Sequence, residues 1–185
     1  MGFYDLIAGP DFAPFASCRE RDWGDDMIFS GESEYAIRGA AELACRGGSE
    51  GKTVMIDQLV SGTDIPRDYL AKIFQKLVRG GVLTSTKGRG GGFTLARPDR
   101  EITLMQIVEA VEGPHAFDGC VVGMEACNDH MPCPQHDLYK PIRQRLQTYV
   151  QTTTLADLAE SLKAKQAWHR LRDATQANPT RIEDV

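Results

Sequence analysis

PRDYLAKIFQKLVRGGVLTSTKGRGGGFTLA, residues 66–96, is the stretch that decides the fold. Its first half carries Leu70, Ile73, Phe74, Leu77 and Val78 at the spacing i, i+3, i+4, i+7, i+8, with Asp68, Lys72, Gln75, Lys76 and Arg79 on the opposite face, the period of an amphipathic helix. Pro66 suits a helix start because its missing N–H costs nothing in the first turn, and Gly80-Gly81 ends the segment. Two short strand-like runs follow, Val82 to Thr86 and Phe93 to Ala96. Lys87-Gly88-Arg89-Gly90-Gly91-Gly92 joins them, so the second half reads as a hairpin with a basic, glycine-rich tip.

Working outward, Ala36, Ala40, Leu43 and Ala44 recur at helical spacing between Ser33 and about Arg46, and Gly47-Gly48 supplies the stop. Ile56 to Val60 reads as a short second helix and Ser61-Gly62-Thr63-Asp64 as a turn. After the hairpin, Thr103 and Gln106 form a capping box for a helix with Leu104, Ile107, Val108 and Val111 on its core face, which stops at Gly113-Pro114. Residues 117–134 are loop-like. A long helix from His136 to about Val150 carries Leu138, Ile142, Leu146, Tyr149 and Val150 on one side, and Thr154 with Asp157 resembles a second capping box leading into Leu155, Leu158 and Leu162. Residues 1–26 have no apolar period and read as a flexible extension or the product of a start codon assigned too early; residues 173–185 read as a frayed tail.

A chain of 185 residues with 42% hydrophobic content can bury one good core. It has no run of the roughly 18–20 apolar residues a membrane span needs and no basic leader, so a soluble, cytoplasmic protein with no membrane partner is expected. The formal net charge of −5 disguises an uneven distribution. Between Pro66 and Arg100 eight basic residues face two acids, a local +6 in a chain whose remainder carries −11. A short helix, a tight turn and a second helix with basic and amide residues outward is the helix-turn-helix arrangement, and the hairpin after it is its wing. Lys and Arg neutralise phosphate, Gln75 can read a base edge, and Arg89 at the tip is placed to enter a minor groove. The candidate contacts to double-stranded operator DNA are therefore Arg67, Lys72, Gln75, Lys76, Arg79, Lys87 and Arg89. A basic outer helix face is by itself an ordinary solvated surface. The glycine loop, read as a nucleotide site, lacks the Gly-Lys-Ser/Thr of a P-loop, and Phe93 takes the last glycine position of the dinucleotide fingerprint. The order helix, turn, helix, basic hairpin decides for DNA.

Five cysteines are too few and too uneven for a disulfide scaffold. Cys18 and Cys45 stand alone and read as ordinary residues, whereas Cys120, Cys127 and Cys133 fall within fourteen residues, which points to metal or redox chemistry. Their spacing is too wide for the knuckle of a zinc ribbon, but a loop can wrap three thiolates round a larger group. Structural zinc with His136 as fourth ligand and cluster-free redox thiols stay open. His136, three residues after Cys133 at a helix start, can point at the same site, while His115 and His130 read as loop residues. No nucleophile with an accompanying base is recognisable, so an enzyme is not expected.

The chain also resembles the IscR, NsrR and RirA group of bacterial winged-helix repressors, the Rrf family. The resemblance rests on Tyr35-Ala36, on Tyr69-Leu70 with Phe74 and Leu77, on the wing Lys87 to Phe93 with Leu95, and on Ile102-Thr103-Leu104, Ile107 and Ala110-Val111-Glu112 followed by three cysteines, across about residues 27–162. It implies a homodimer held by the long helix after the cysteines, binding a two-fold related operator, and an iron-sulfur cluster on Cys120, Cys127 and Cys133. Such a cluster would sense iron status, nitric oxide or redox state. His136 matches the pattern of a 2Fe-2S cluster, which is favoured, and Glu34 sits where some relatives donate an acidic ligand to a 4Fe-4S cluster of the partner subunit. The expected class is mainly α with a small β-hairpin. Its parts are an extension (1–26), a winged helix-turn-helix domain (27–113), a cysteine-rich cluster-binding loop (114–135), dimerisation and C-terminal helices (136–172) and a tail (173–185).

Overall fold

The computed structural model describes residues 28–122, 129, 130 and 132–176, the last eight by their backbone only. The expected extension, Cys18, Cys127 and residues 177–185 lie outside the described residues. Ser30 caps the first helix, α1 (Gly31–Cys45): its side chain accepts from Ser33 N at 3.2 Å, and Glu32 and Glu34 place negative charge at the positive end of the helix dipole. The helix thus starts two residues before the expected Ser33, because the cap lies outside the apolar period that marks its body. The helix-turn-helix is α2 (Ile56–Val60) and α3 (Arg67–Arg79), with Pro66 at the N-cap of α3.

Strands β1 (Leu83–Thr86) and β2 (Gly92–Leu95) pair antiparallel, with Leu83 opposite Leu95 and Thr86 opposite Gly92. Val54, just before α2, adds a bridge on the other side of β2: its N–H donates to Phe93 O at 3.0 Å and its carbonyl accepts from Phe93 N at 2.9 Å. A Cβ on Gly92 would stand 2.4 Å from Val54 O, so this crossing requires glycine there. Thr103 and Gln106 form the capping box of α4 (Leu104–Glu112). Then come α5 (His136–Thr152) and α6 (Leu155–Gln176), which continues past the expected start of the tail at Asp173. The corner between α5 and α6 docks on α4 through backbone bonds from Leu104 N to Thr153 O, 3.0 Å, and Leu155 N to Ile102 O, 2.7 Å, and α6 runs back along α1.

The core lies between α1, α3, α4 and the hairpin. Leu70, Ile73, Phe74 and Leu77 of α3 are fully buried against the small residues Ala36, Gly39 and Ala40 of α1, and the Phe74 ring meets the edge of Phe93 at 5.0 Å. By contrast Leu138, Ile142 and Tyr149 of α5 are exposed, Leu138 by 69% and Ile142 by 60%, which leaves an apolar stripe along one side of that helix. No helix among the described residues is long and apolar enough to cross a membrane.

Gly39 gives the packing a direct test, since an added Cβ would meet Leu70 Cδ1 at 2.7 Å and Phe74 Cε1 at 2.8 Å. Alanine gains roughly 0.5–1 kcal/mol over glycine in a helix interior. Overpacking a filled core costs about 1–3 kcal/mol. The second effect dominates because both neighbours are fully buried and have nowhere to retreat. Gly39→Ala should therefore lower the stability read by urea denaturation, and a variant as stable as the parent would show that α1 and α3 are less closely apposed.

Candidate nucleic-acid interface and metal centre

At about 100° per residue, the outward face of α3 centres on Asp68, Lys72, Gln75 and Arg79, all exposed, with Arg67 and Lys76 on opposite flanks. Lys87 and Arg89 project from the turn between the strands and are likewise exposed. Among the described residues, Lys72, Arg79, Lys87 and Arg89 have no carboxylate partner. Gln75 and Lys87 line one cleft, which joins the outward face of α3 to the wing.

Lys76, also expected among the DNA contacts, is engaged within the fold. It is half-buried, its ammonium 2.7 Å from Glu32 Oε1 at the start of α1 and 3.4 Å from the Val111 carbonyl at the end of α4. The reason is angular: Lys76 is roughly 70° from the centre of the outward face, on the side where α1 and α4 close over α3. A carboxylate and a helix C-terminus attract it there. Nearby, Glu112 accepts hydrogen bonds from Ser30, at 2.7 Å, and from the buried Ser33, so that three helix ends meet at one place.

Arg67 is exposed but engaged: its Nε donates to Asp57 of α2 and its Nη1 donates to Asp68 Oδ1 at 3.1 Å. Bonding to Asp57 first, and to Asp68 second, holds the guanidinium above its ordinary pKa. Asp57 is a residue the sequence reading did not single out, since a partner ten positions away across a turn leaves no local signature.

In the cysteine segment, Cys120 Sγ and Cys133 Sγ are 3.8 Å apart, too far for a disulfide of about 2.05 Å. Two thiolates on one tetrahedral ion, each about 2.3 Å from it, stand about 3.8 Å apart, so the pair fits a shared metal. His136 is buried at the start of α5, and its backbone N–H donates to Cys133 O at 2.9 Å in the turn that opens the helix. Its Nε2 is 2.7 Å from Asp129 Oδ1, and Lys140 Nζ reaches both oxygens of Asp129 at 2.7 and 2.9 Å. Lys140, with a smaller contribution from His136, holds the Asp129 carboxyl below its usual range. Opposite a carboxylate oxygen, Nε2 is the ring nitrogen placed to donate. Asp129 too went unnoticed in the sequence, although Lys140 four residues after His136 is a hint of it.

The structure thus brings the Cys120 and Cys133 thiols together, with His136 three residues after Cys133 and its ring on Asp129. Glu34 lies elsewhere, half-buried on α1 with Arg38 Nη1 at 3.4 Å, and Arg38 also holds Asp64 in the helix-turn-helix turn. His115 is exposed and bonded to Asp118 at 2.9 Å, and His130 is exposed. Among the described residues no three such donors close around one point. The isolated Cys45 is half-buried where α1 meets α6, its thiol directed at Ala159 O, and burial pushes its pKa up.

Helix-turn-helix, paired wing and a basic face together define a winged-helix DNA-binding regulator of transcription. The chain belongs to the Rrf2 family, described as iron-dependent transcriptional regulators, whose model matches residues 29–161. It is 31% identical over 134 residues to an HTH-type transcriptional regulator of Aquifex aeolicus, covering 71% of this chain and 91% of that one. It is 24% identical over 159 residues to the regulator IscR of Cronobacter sakazakii, covering 86% and 96%. Among solved structures it is similar to CymR, the global cysteine regulator of B. subtilis, with a TM-score of 0.60 and 25% identity over 72% of this chain and 96% of that one. The IscR of T. potens shares the fold, with a TM-score of 0.57 at 20% identity over 76% of this chain and 92% of that one.

The two lysines of α3 should separate in experiment. Lys76→Ala is expected to cost about 1 kcal/mol of stability while leaving the salt dependence of DNA binding unchanged. Lys72→Ala should leave stability alone and reduce the salt slope by about one unit. Urea denaturation and a salt titration of binding check both, and a reduced slope in the Lys76 variant would return that residue to the DNA face.

Proposed function

We propose that this regulator is a homodimeric repressor whose affinity for double-stranded operator DNA is set by an iron-sulfur cluster held by Cys120, Cys127, Cys133 and His136. The observation that carries the reading is the 3.8 Å approach of Cys120 and Cys133, with the buried His136 three residues further along the chain. Two thiolates on one iron suit a 2Fe-2S cluster, whereas in a 4Fe-4S cubane each protein thiolate takes its own iron and the sulfurs stand farther apart. That spacing, and the Arg38 pairing of Glu34, favour His136 over Glu34 as the fourth ligand. When bound, the cluster would supply a link that iron scarcity, nitric oxide or oxidation removes.

The chain's own residues do the rest. Lys72, Gln75 and Arg79 on α3, with Lys87 and Arg89 on the wing, contact phosphates and base edges, and Arg67 adds a base contact. The exposed stripe Leu138, Ile142 and Tyr149 on α5 is the surface for a second copy. Recognition helices of a dimer must sit about 34 Å apart to meet successive major grooves on one face, so anything that shifts the subunits alters affinity without touching a DNA contact.

Protein purified without oxygen should be coloured and contain iron and acid-labile sulfide. Cys120→Ala and Cys133→Ala should lose the colour, His136→Ala should shift the spectrum, and Glu34→Ala should leave it unchanged. A second reading, thiol sensing with no cluster, draws on the same sulfur pair and on the likeness to CymR. Iron-free protein that gains a Cys120–Cys133 disulfide on oxidation would favour that reading, and colourless protein with stoichiometric zinc would overturn both.

The dimer surface is tested separately. Ile142→Glu places a charge in the middle of the α5 stripe and should shift sedimentation from dimer to monomer, with operator affinity falling alongside. An unaltered dimer would move the interface off α5.

A further inference from the structure

Arg67 and Asp57 line a cleft of about 350 Å³ between α2, α3 and the hairpin, together with Gln75, Thr86, Lys87 and Phe93. Gln75 of the recognition helix and Lys87 of the wing both line it, so a DNA strand that touches both crosses the cleft. An exposed carboxylate there repels phosphate. It also adds little to stability, since both partners are largely exposed, Arg67 by 54% and Asp57 by 65% of the side chain. What Asp57 does change is the freedom of Arg67. With Nε held by Asp57 across the α2–α3 junction and one Nη1 hydrogen given to Asp68, the guanidinium keeps its remaining Nη hydrogens for a ligand, and they leave the first turn of the recognition helix in a direction set by the two carboxylates. Arginine so held is suited to the two acceptors of a guanine edge. A phosphate that draws it away must first displace a carboxylate.

We propose that Asp57 is a specificity-determining residue of the DNA interface: by holding Arg67 Nε it commits that guanidinium to a base edge and withholds it from phosphates. Non-specific binding depends on phosphate contacts alone and carries the full penalty, while operator binding retains the directed contact. The inference rests on the DNA-binding reading and is independent of any cluster.

The test uses the full chain and two duplexes, one selected from a random library by the wild-type protein and one of random composition. Asp57→Ala should bind the random duplex about three- to tenfold more tightly, with a salt slope steeper by about one unit, as for one added phosphate contact. Its affinity for the selected duplex should stay level or fall, so the ratio between the two shrinks by at least the same factor. In an Arg67→Ala background the same substitution should change random-duplex affinity less than twofold. Three results overturn the proposal alone: unchanged random-duplex affinity and slope, an equal gain on both duplexes, or a full gain without Arg67, which would reduce Asp57 to general repulsion. A wild-type protein that selects no duplex would overturn the DNA reading, and this proposal with it.

Discussion

The edge-to-face contact of Phe74 with Phe93 is the constraint on which the rest depends. Phe74 is the largest fully buried side chain, in the middle of the recognition helix, and Phe93 is in the strand that returns from the wing tip. The pair fixes helix and wing as one body. Phe74 also abuts Gly39 of α1, and Phe93 shares its backbone with Val54, so the same two rings set where α1 and the entry to α2 must run. Everything placed on the basic face inherits its position from them.

Much of this was legible in the sequence because it is decided within one or two turns of chain. The apolar period of α3 and the Thr103–Gln106 capping box need no distant partner, and both stand where the sequence puts them. Lys76, Asp57 and Asp129 were not legible in the same way. Each is positioned by an element that arrives from elsewhere: α1 and α4 for Lys76, α3 for Asp57, and α5 for Asp129. On the helical wheel Lys76 stands at the flank of the outward face, next to Ile73, and its partners come from α1 and α4. Pro141 lies inside α5, and the apolar period that reads as one helix from His136 to about Val150 runs through it although a proline there removes a backbone donor.

The candidate site was legible in its donors and less so in its arrangement. Three cysteines and a histidine announce metal or redox chemistry from the sequence, but the pairing of Cys120 with Cys133, and the contact of Asp129 with the His136 ring, follow from how the segment packs against α5. The loop leaves α4 just beyond Glu112, which receives both Ser30 and Ser33 at the start of α1, and Lys76 of α3 is anchored beside it. The segment that carries the thiols therefore departs from the joint to which the recognition helix is fastened.

The hairpin has one more consequence, for colloidal behaviour. Val54 covers the outer side of β2, which leaves β1 as the open edge of the sheet, only four residues long and carrying exposed Thr84, Ser85 and Thr86. An edge so short and polar offers little for another chain to extend. Copies of a regulator crowded together along DNA can thus present their wings to one another without zipping into aggregates.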